Sequence, residues 1–148
     1  MLPGGLNIMP LTVLHGEDYE CMGFLFGENE RVAYLSDVSR IPPITDAILR
    51  GFHPENESIT SSTNDNWQID LLIVDCLFLT REHPTHFNFP QALECIRSLK
   101  PKRALLVGMS HDFDYDTINE KLKAERDTLC DGVEVMMARD GLTVDVQL

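Results

Sequence analysis

Two patterns of apolar and polar positions alternate along the chain. Short apolar runs rich in β-forming residues end at turn-forming or charged residues, which is typical of strands. Longer stretches repeat apolar residues every three or four positions, which indicates helices with one buried face. The predicted strands cover residues 11–14, 21–26, 31–35, 69–74, 103–107, 133–137 and 142–146, and the predicted helices cover residues 42–50, 88–99 and 115–128.

Local signals support several of these boundaries. The polar segment 27–30 between two apolar runs predicts a tight hairpin connection. The first helix begins at a proline pair and ends before a glycine, as helix termini prefer. Asn88, followed by Gln91 three residues later, predicts a capped start for the second helix. The segment 139–141 is the predicted turn between the last two strands.

The order of the elements predicts an α/β fold with a mixed sheet and flanking helices, because both hairpins and strand–helix–strand crossovers occur. The run 69–74 is almost continuously apolar, which suits a strand covered on both faces. The length of 148 residues is close to that of one domain, so we predict a single domain over residues 1–148. Within it, the polar stretch 53–68 is predicted to be a flexible loop.

The charge of the chain limits its partners. With 24 Asp and Glu against 12 Lys and Arg, the formal net charge is −12, which argues against binding to long nucleic acids. No apolar run approaches the roughly 20 residues of a membrane span, and the first ten residues lack the pattern of a secretory signal. The four cysteines are widely separated and form no CxxC pair. We therefore expect reduced thiols and a cytoplasmic location, with no membrane partner.

Ionisable side chains follow the ends of several predicted strands. They are His15, Asp37, Asp75 and His111, while His86 stands two residues before the predicted helix cap Asn88. Polar residues at the exits of neighbouring strands can meet at one edge of an α/β sheet, where such sheets bind ligands. Imidazole and carboxylate groups together suit Zn(II), Mn(II) or Fe(II). The sequence therefore predicts a candidate metal site at this edge.

Each of these residues also has a simpler interpretation. A single His or Asp at a strand end is commonly a turn former or a polar group that is hydrogen-bonded locally. His53 and His83 lie in polar segments and are interpreted as solvated. The acidic residues Asp112, Asp114 and Asp116 lack the glycine and glutamate of a calcium loop and suit a helix N-terminus instead. No GxSxG, Walker A or GxGxxG motif is present.

Five segments, taken in chain order, carry a resemblance to a known family. They are residues 10–16 with 23–24, 32–38, 72–76 with 83–88 and 91–93, 100–107 with 109–111, and 140–144. Together they resemble the metallo-β-lactamase fold and, within it, the PhnP-like metal-dependent phosphodiesterases. The resemblance covers most of the chain.

The resemblance implies a role for each candidate residue. Asp37 would bridge two metal ions, Zn or Mn, while His15 would hold one of them and His111 the other. His86 would be the catalytic general acid for the leaving alkoxide, after attack by a metal-activated water on a phosphodiester. Asp75 would orient an imidazole, or else cap a turn.

The chain also departs from the family pattern in two places. The HxHxDH motif, which supplies further ligands to both metals, is absent, and in the family it precedes the segments found here. The chain is therefore expected to be the C-terminal half of an αββα sandwich, as a truncated product, a short isoform or an incomplete gene model. At the last ligand position many relatives have a Thr-His pair, whereas Val107 and Gly108 stand there in this chain.

These departures set the expectations for the chain itself. With so few ligands, we expect weak metal binding and little or no hydrolysis, although a small phosphorylated substrate is compatible with the site once metal supplies positive charge. Half a sandwich exposes an apolar sheet surface, so self-association is expected. Two alternatives stay open. One is a non-catalytic remnant that works as a regulatory or interaction module; the other is a chain without a function of its own.

Overall fold

A computed structural model describes residues 5–52 and 67–148 of the chain. Most of the loop predicted over residues 53–68, including His53, therefore lies outside the described residues. Ten elements follow one another: β1 (Ile8–Leu14), β2 (Glu20–Phe26), β3 (Val32–Leu35), α1 (Pro43–Leu49), β4 (Leu71–Asp75), α2 (Phe89–Leu99), β5 (Arg103–Val107), α3 (Tyr115–Ala124), α4 (Arg126–Cys130) and β6 (Glu134–Met137).

The strands form one six-stranded mixed sheet in the order β1-β2-β3-β4-β5-β6. β1 pairs with β2 and β2 with β3 in antiparallel fashion, while β3, β4, β5 and β6 are parallel to one another. Two successive antiparallel pairings give β1 the same direction as β3. Five of the six strands therefore end at the same edge of the sheet, as the candidate site requires. The predicted α/β fold with a mixed sheet is confirmed.

The helices cover one face of the sheet and enclose the main core. Inward residues of the strands, such as Val13, Leu72 and Leu106, are almost fully buried there together with Ile96 of α2. The predicted capping pair is present at the start of α2. The Asn88 side chain accepts the backbone N–H of Gln91, and the Gln91 side chain accepts the backbone N–H of Asn88.

The helix predicted over residues 115–128 is interrupted. α3 ends at Ala124 and α4 begins at Arg126, with the backbone of Glu125 outside helical geometry. Leu122 and Cys130 are both buried on either side of this break. On one straight helix two residues eight positions apart differ in direction by about 80°. The interruption therefore allows both side chains to reach the core.

The strand predicted over residues 142–146 is not formed. Instead, this segment lies across the second face of the sheet, where Leu142, Val144 and Val146 pack against Val32, Leu71 and Leu105. The prediction was wrong because alternating apolar residues indicate only that one side of an extended segment is covered. In this structure the apolar side of the segment packs on the face of the sheet. A strand would instead have extended the sheet by pairing with it.

The rest of the second sheet face is open. Phe24 and Tyr34 lie opposite each other in neighbouring strands, Met22 lies two residues along on the same face, and all three are exposed. Self-association through this surface stays a prediction. Among residues 5–52 and 67–148, no helix is long and apolar enough to cross a membrane.

Candidate metal centre

Three of the predicted donor residues meet at the edge where five strands end. They are His15, Asp37 and His86. Each offers one ligand atom, and these atoms all lie within 4.8 Å of one another. His15 directly follows β1 and Asp37 follows β3 by two residues, so the shared direction of these strands brings them together.

His86 reaches the same place although it lies eleven residues beyond the end of β4. Two backbone hydrogen bonds fold its loop back onto the sheet edge. The N–H of Phe87 donates to the carbonyl of Val38 at 2.8 Å, and the N–H of Leu77 donates to the carbonyl of Phe87 at 2.8 Å. The position of His86 is therefore fixed by the backbone next to Asp37.

His15 carries an unsatisfied nitrogen in this group. Its backbone N–H donates to the carbonyl of Tyr19 at 2.8 Å, which closes a tight loop between β1 and β2. The His15 ring meets the His86 ring edge-on, with 4.6 Å between the centroids. Its Nδ1 is buried and has no hydrogen-bond partner among the described residues. An unsatisfied buried polar atom costs about 1–3 kcal/mol unless a bound group satisfies it.

Asp37 has an unusual backbone at this edge. Its φ is +52°, in the left-handed region that side chains rarely adopt and that Asp tolerates better than most. Its side chain is 62% exposed, and its Oδ1 lies 4.0 Å from Nδ1 of His86. Strained backbone of this kind is concentrated at functional sites.

Two imidazoles and one carboxylate, with an unsatisfied nitrogen among them, fit a divalent cation such as Zn or Mn.

Asp75, the last residue of β4, binds the His86 ring. Its Oδ2 lies 2.6 Å from Nδ1 of His86 and also accepts the backbone N–H of Val38 at 3.3 Å. Asp75 is almost completely buried. Burial raises the pKa of the Asp75 carboxyl above its usual value, against the opposing effects of His86 and the Val38 N–H. Asp75 thus holds the ring and a turn together, and leaves Nε2 of His86 free for chemistry.

Cys76, next in the chain, takes no part in this chemistry. It is completely buried, and burial raises the pKa of its thiol to about 12. A thiol of such high pKa is a poor nucleophile near neutral pH.

Gly108 lies close to the Asp75 side chain. Its φ is +76°, and a Cβ atom built on it would lie 3.0 Å from Oδ1 of Asp75. The glycine therefore leaves room for the carboxylate that holds His86.

We expect Gly108→Ala to destabilise the chain by about 1–2 kcal/mol, because alanine must adopt a left-handed backbone beside a buried carboxylate. Chemical denaturation measures this change. Gly141→Ala is the matched control, since Gly141 also has a positive φ of +79° but has no atom within 4 Å of its Cβ position. Equal losses of unfolding free energy in the two variants would show that the contact with Asp75 adds nothing to the cost of the substitution.

His111 does not belong to the group that His15, Asp37 and His86 form. Its side chain is 97% exposed, and its Nε2 lies 3.6 Å from Oδ1 of Asp112. It stands four residues beyond the end of β5, in a turn where the Ser110 and Asp112 side chains bond to each other.

His83, interpreted from the sequence as solvated, is half-buried beside the site. Its ring centroid lies 5.4 Å from that of His86, and its Nδ1 bonds to Thr85. The spacing His83-Pro84-Thr85-His86, with two imidazoles three residues apart, is the signal in the sequence that indicates this proximity.

Comparisons with known proteins place this geometry in a family. The sequence profile of the beta-lactamase superfamily domain matches residues 2–109. Among solved structures, the chain is similar to a new diphosphatase from the PhnP family, with 27% identity and a TM-score of 0.74 over 100% of this chain and 46% of that one. It is also similar to YhfI from Bacillus subtilis, a metallo-beta-lactamase fold protein, with 20% identity and a TM-score of 0.66 over 96% of this chain and 50% of that one.

A third similar structure is the isothiocyanate hydrolase from Delia radicum gut bacteria, at 14% identity and a TM-score of 0.63, over 96% of this chain and 54% of that one. No curated protein sequence matches significantly. The chain spans about half the length of the structures it matches. The predicted resemblance to the metallo-β-lactamase fold and the PhnP family is confirmed, and the hydrolase fold implies a divalent metal. The chain belongs to the beta-lactamase superfamily.

Proposed function

We propose that this site takes part in the metal-dependent hydrolysis of a phosphodiester or a related phosphoric anhydride. The observation that carries the proposal is the meeting of His15, Asp37 and His86 at one sheet edge, with Asp75 bonded to the His86 ring. The similar structure described as a diphosphatase of the PhnP family supports the choice of a phosphorus substrate.

His15 and Asp37 are the proposed metal ligands. They offer an imidazole nitrogen and a carboxylate oxygen, a combination that Zn and Mn both accept. When bound, such a cation would lower the pKa of a water ligand and neutralise charge on the phosphate. The exposed carboxylate of Asp37 lies on the open side of the group, where solvent and substrate have access.

His86 is the proposed general acid. Because Asp75 engages Nδ1, Nε2 is the nitrogen left for proton transfer, and a proton on Nε2 would pass to the leaving oxygen. Imidazole suits this task because its ordinary pKa is near neutral. The buried carboxylate of Asp75 contacts Nδ1 of the ring and fixes its orientation.

Activity of this chain by itself is proposed to be weak. Its described residues bring only three donors together. One of the three, Asp37, and the neighbouring Asp75 are carboxylates that repel a phosphate. The net charge of −12 adds to this repulsion. A bound metal is therefore expected to strengthen the binding of an anionic substrate, because it contributes positive charge.

In the test, a chelator removes metal from the 148-residue chain, and Mn(II) or Zn(II) is then added. Bound metal is measured by elemental analysis. Activity is measured as hydrolysis of bis(p-nitrophenyl) phosphate. We expect about one weakly held ion and slow turnover that requires it. His111→Ala is expected to leave both unchanged, because this side chain lies outside the group. A chain that holds no metal and hydrolyses nothing would contradict the proposal and favour a remnant that acts as an interaction module.

A further inference from the structure

Aromatic rings continue from the candidate metal centre along the loop between β4 and α2. The His86 ring neighbours the His83 ring at 5.4 Å between centroids, and His83 neighbours Phe78 at 5.6 Å. The guanidinium carbon of Arg81 lies 3.7 Å above the centre of the Phe78 ring. Successive contacts thus connect His86 to His83, His83 to Phe78, and Phe78 to Arg81.

The hydrogen bonds of His83 determine which of its nitrogens carries a proton. The backbone N–H of Thr85 donates to Nδ1 of His83 at 3.4 Å, and the Thr85 hydroxyl lies 3.0 Å from the same atom. Because a backbone N–H can only donate, Nδ1 is the acceptor. The proton of the neutral ring is therefore on Nε2, which is a hydrogen-bond donor. No hydrogen bond to Nε2 of His83 occurs among the described residues.

Thr85 also ties this loop to the metal centre. Its methyl group would be 3.2 Å from a Cβ atom on Gly16, the residue after His15, where φ is +97°. The absence of a side chain at Gly16 therefore lets the loop approach β1 closely. This contact brings the loop that carries His83 close to the end of β1.

Arg81 is exposed at the surface. In the part of the chain that the structure describes, no carboxylate lies within ion-pair distance of it. The guanidinium of Arg81 packs against the Phe78 ring, and its N–H groups are left available to bind an anion. An arginine edge of this kind matches a phosphate group with two parallel hydrogen bonds.

We propose that Arg81 and His83 form a subsite for a phosphate group of the substrate other than the one attacked. The proposal rests on the proposed function, which places the reacting phosphate next to His86. It assigns the substrate class as one with at least two phosphate groups close together. The guanidinium of Arg81 and the Nε2–H of His83 offset the repulsion of such an anion by the two nearby carboxylates.

The test measures binding of methylenediphosphonate and of inorganic phosphate to the 148-residue chain without metal, by NMR titration of the arginine and histidine side-chain signals. Arg81→Gln is expected to weaken binding of the diphosphonate about tenfold, because a charge-assisted bidentate contact is lost. His83→Phe keeps the ring but removes the donor, and is expected to weaken binding about threefold.

Arg31→Gln is the matched control. Arg31 also stacks on an aromatic ring, with 4.3 Å from its guanidinium carbon to the Trp67 ring, but it precedes β3 at the opposite edge of the sheet. It is expected to change the affinity less than twofold. Equal losses for Arg31→Gln and Arg81→Gln would overturn the proposal, since they would reflect net charge alone. Equal affinity of the wild-type chain for the two ligands would also overturn it.

Metal content in the same variants separates this proposal from the proposed function. We expect Arg81→Gln and His83→Phe to hold as much Mn or Zn as the wild-type chain. If no variant holds metal while the Arg81-dependent preference for diphosphonate persists, the hydrolase proposal fails and the subsite stands. If metal and turnover are present but the preference is absent, the subsite fails alone.

Discussion

His86→Ala should lower hydrolysis of a phosphodiester that has an alkoxide leaving group by about 100- to 10,000-fold, the usual contribution of a general acid. The substrate can be glycerophosphocholine, with the products followed by phosphorus NMR. An alkoxide is a poor leaving group and needs the proton that Nε2 of His86 would supply. Bound metal should stay the same within about twofold, because His15 and Asp37 are the proposed ligands.

The same variant should lose far less activity on bis(p-nitrophenyl) phosphate. Its leaving group is stable as an anion and needs little protonation, so the loss of an acid has a small effect. Similar losses on the two substrates, together with loss of metal, would show that His86 is a ligand. Asp75→Asn should give the same pattern on a smaller scale, about 10- to 100-fold on the alkyl substrate, since Asp75 acts through His86.

His15→Phe should have opposite effects on metal binding and on stability. The affinity for Zn or Mn should fall by more than about 100-fold, because a ligand contributes more than the outer residues that orient it. The metal-free chain should become as stable or more stable, because phenylalanine has a similar shape and removes the buried Nδ1 that has no partner. A gain of about 1–2 kcal/mol corresponds to a rise in Tm of roughly 2–8 °C.

Calorimetry of zinc binding and thermal unfolding with a chelator present measure these two quantities. His111→Phe makes the same replacement at an exposed imidazole and should change neither by much. A large drop in the stability of metal-free His15→Phe would mean that the imidazole is a structural group. That result would remove the reason for assigning the buried nitrogen to a metal.

The sequence predicted most of the fold because its signals are local. The run at Arg103–Val107 and the capping pair Asn88 and Gln91 correspond directly to β5 and the start of α2. The two errors in the fold were the uninterrupted helix over residues 115–128 and the strand over residues 142–146. Both involve contacts between distant parts of the chain. Residues 142–146 lie on a sheet face formed by Val32, Leu71 and Leu105, and nothing within the segment distinguishes that from strand pairing.

The candidate site was predictable to the extent that its residues adjoin strand ends. His15 and Asp37 follow their strands within two residues, so strand direction decides where they lie. His111 is four residues past β5, and the turn that follows Gly108 directs it to solvent. The location of His83 depends on how its loop folds back through hydrogen bonds to Thr85, and the polarity of a segment carries no information about that.

The most direct test of the account follows the imidazole nitrogens of the chain during zinc titration. Proton–nitrogen correlation spectra of the uniformly ¹⁵N-labelled chain resolve each histidine ring, and single replacements assign the signals. We predict that the ring signals of His15 and His86 shift together as zinc is added, while those of His111 stay in place. Zinc-dependent shifts at His111 with none at His15 would contradict a metal centre at this edge of the sheet.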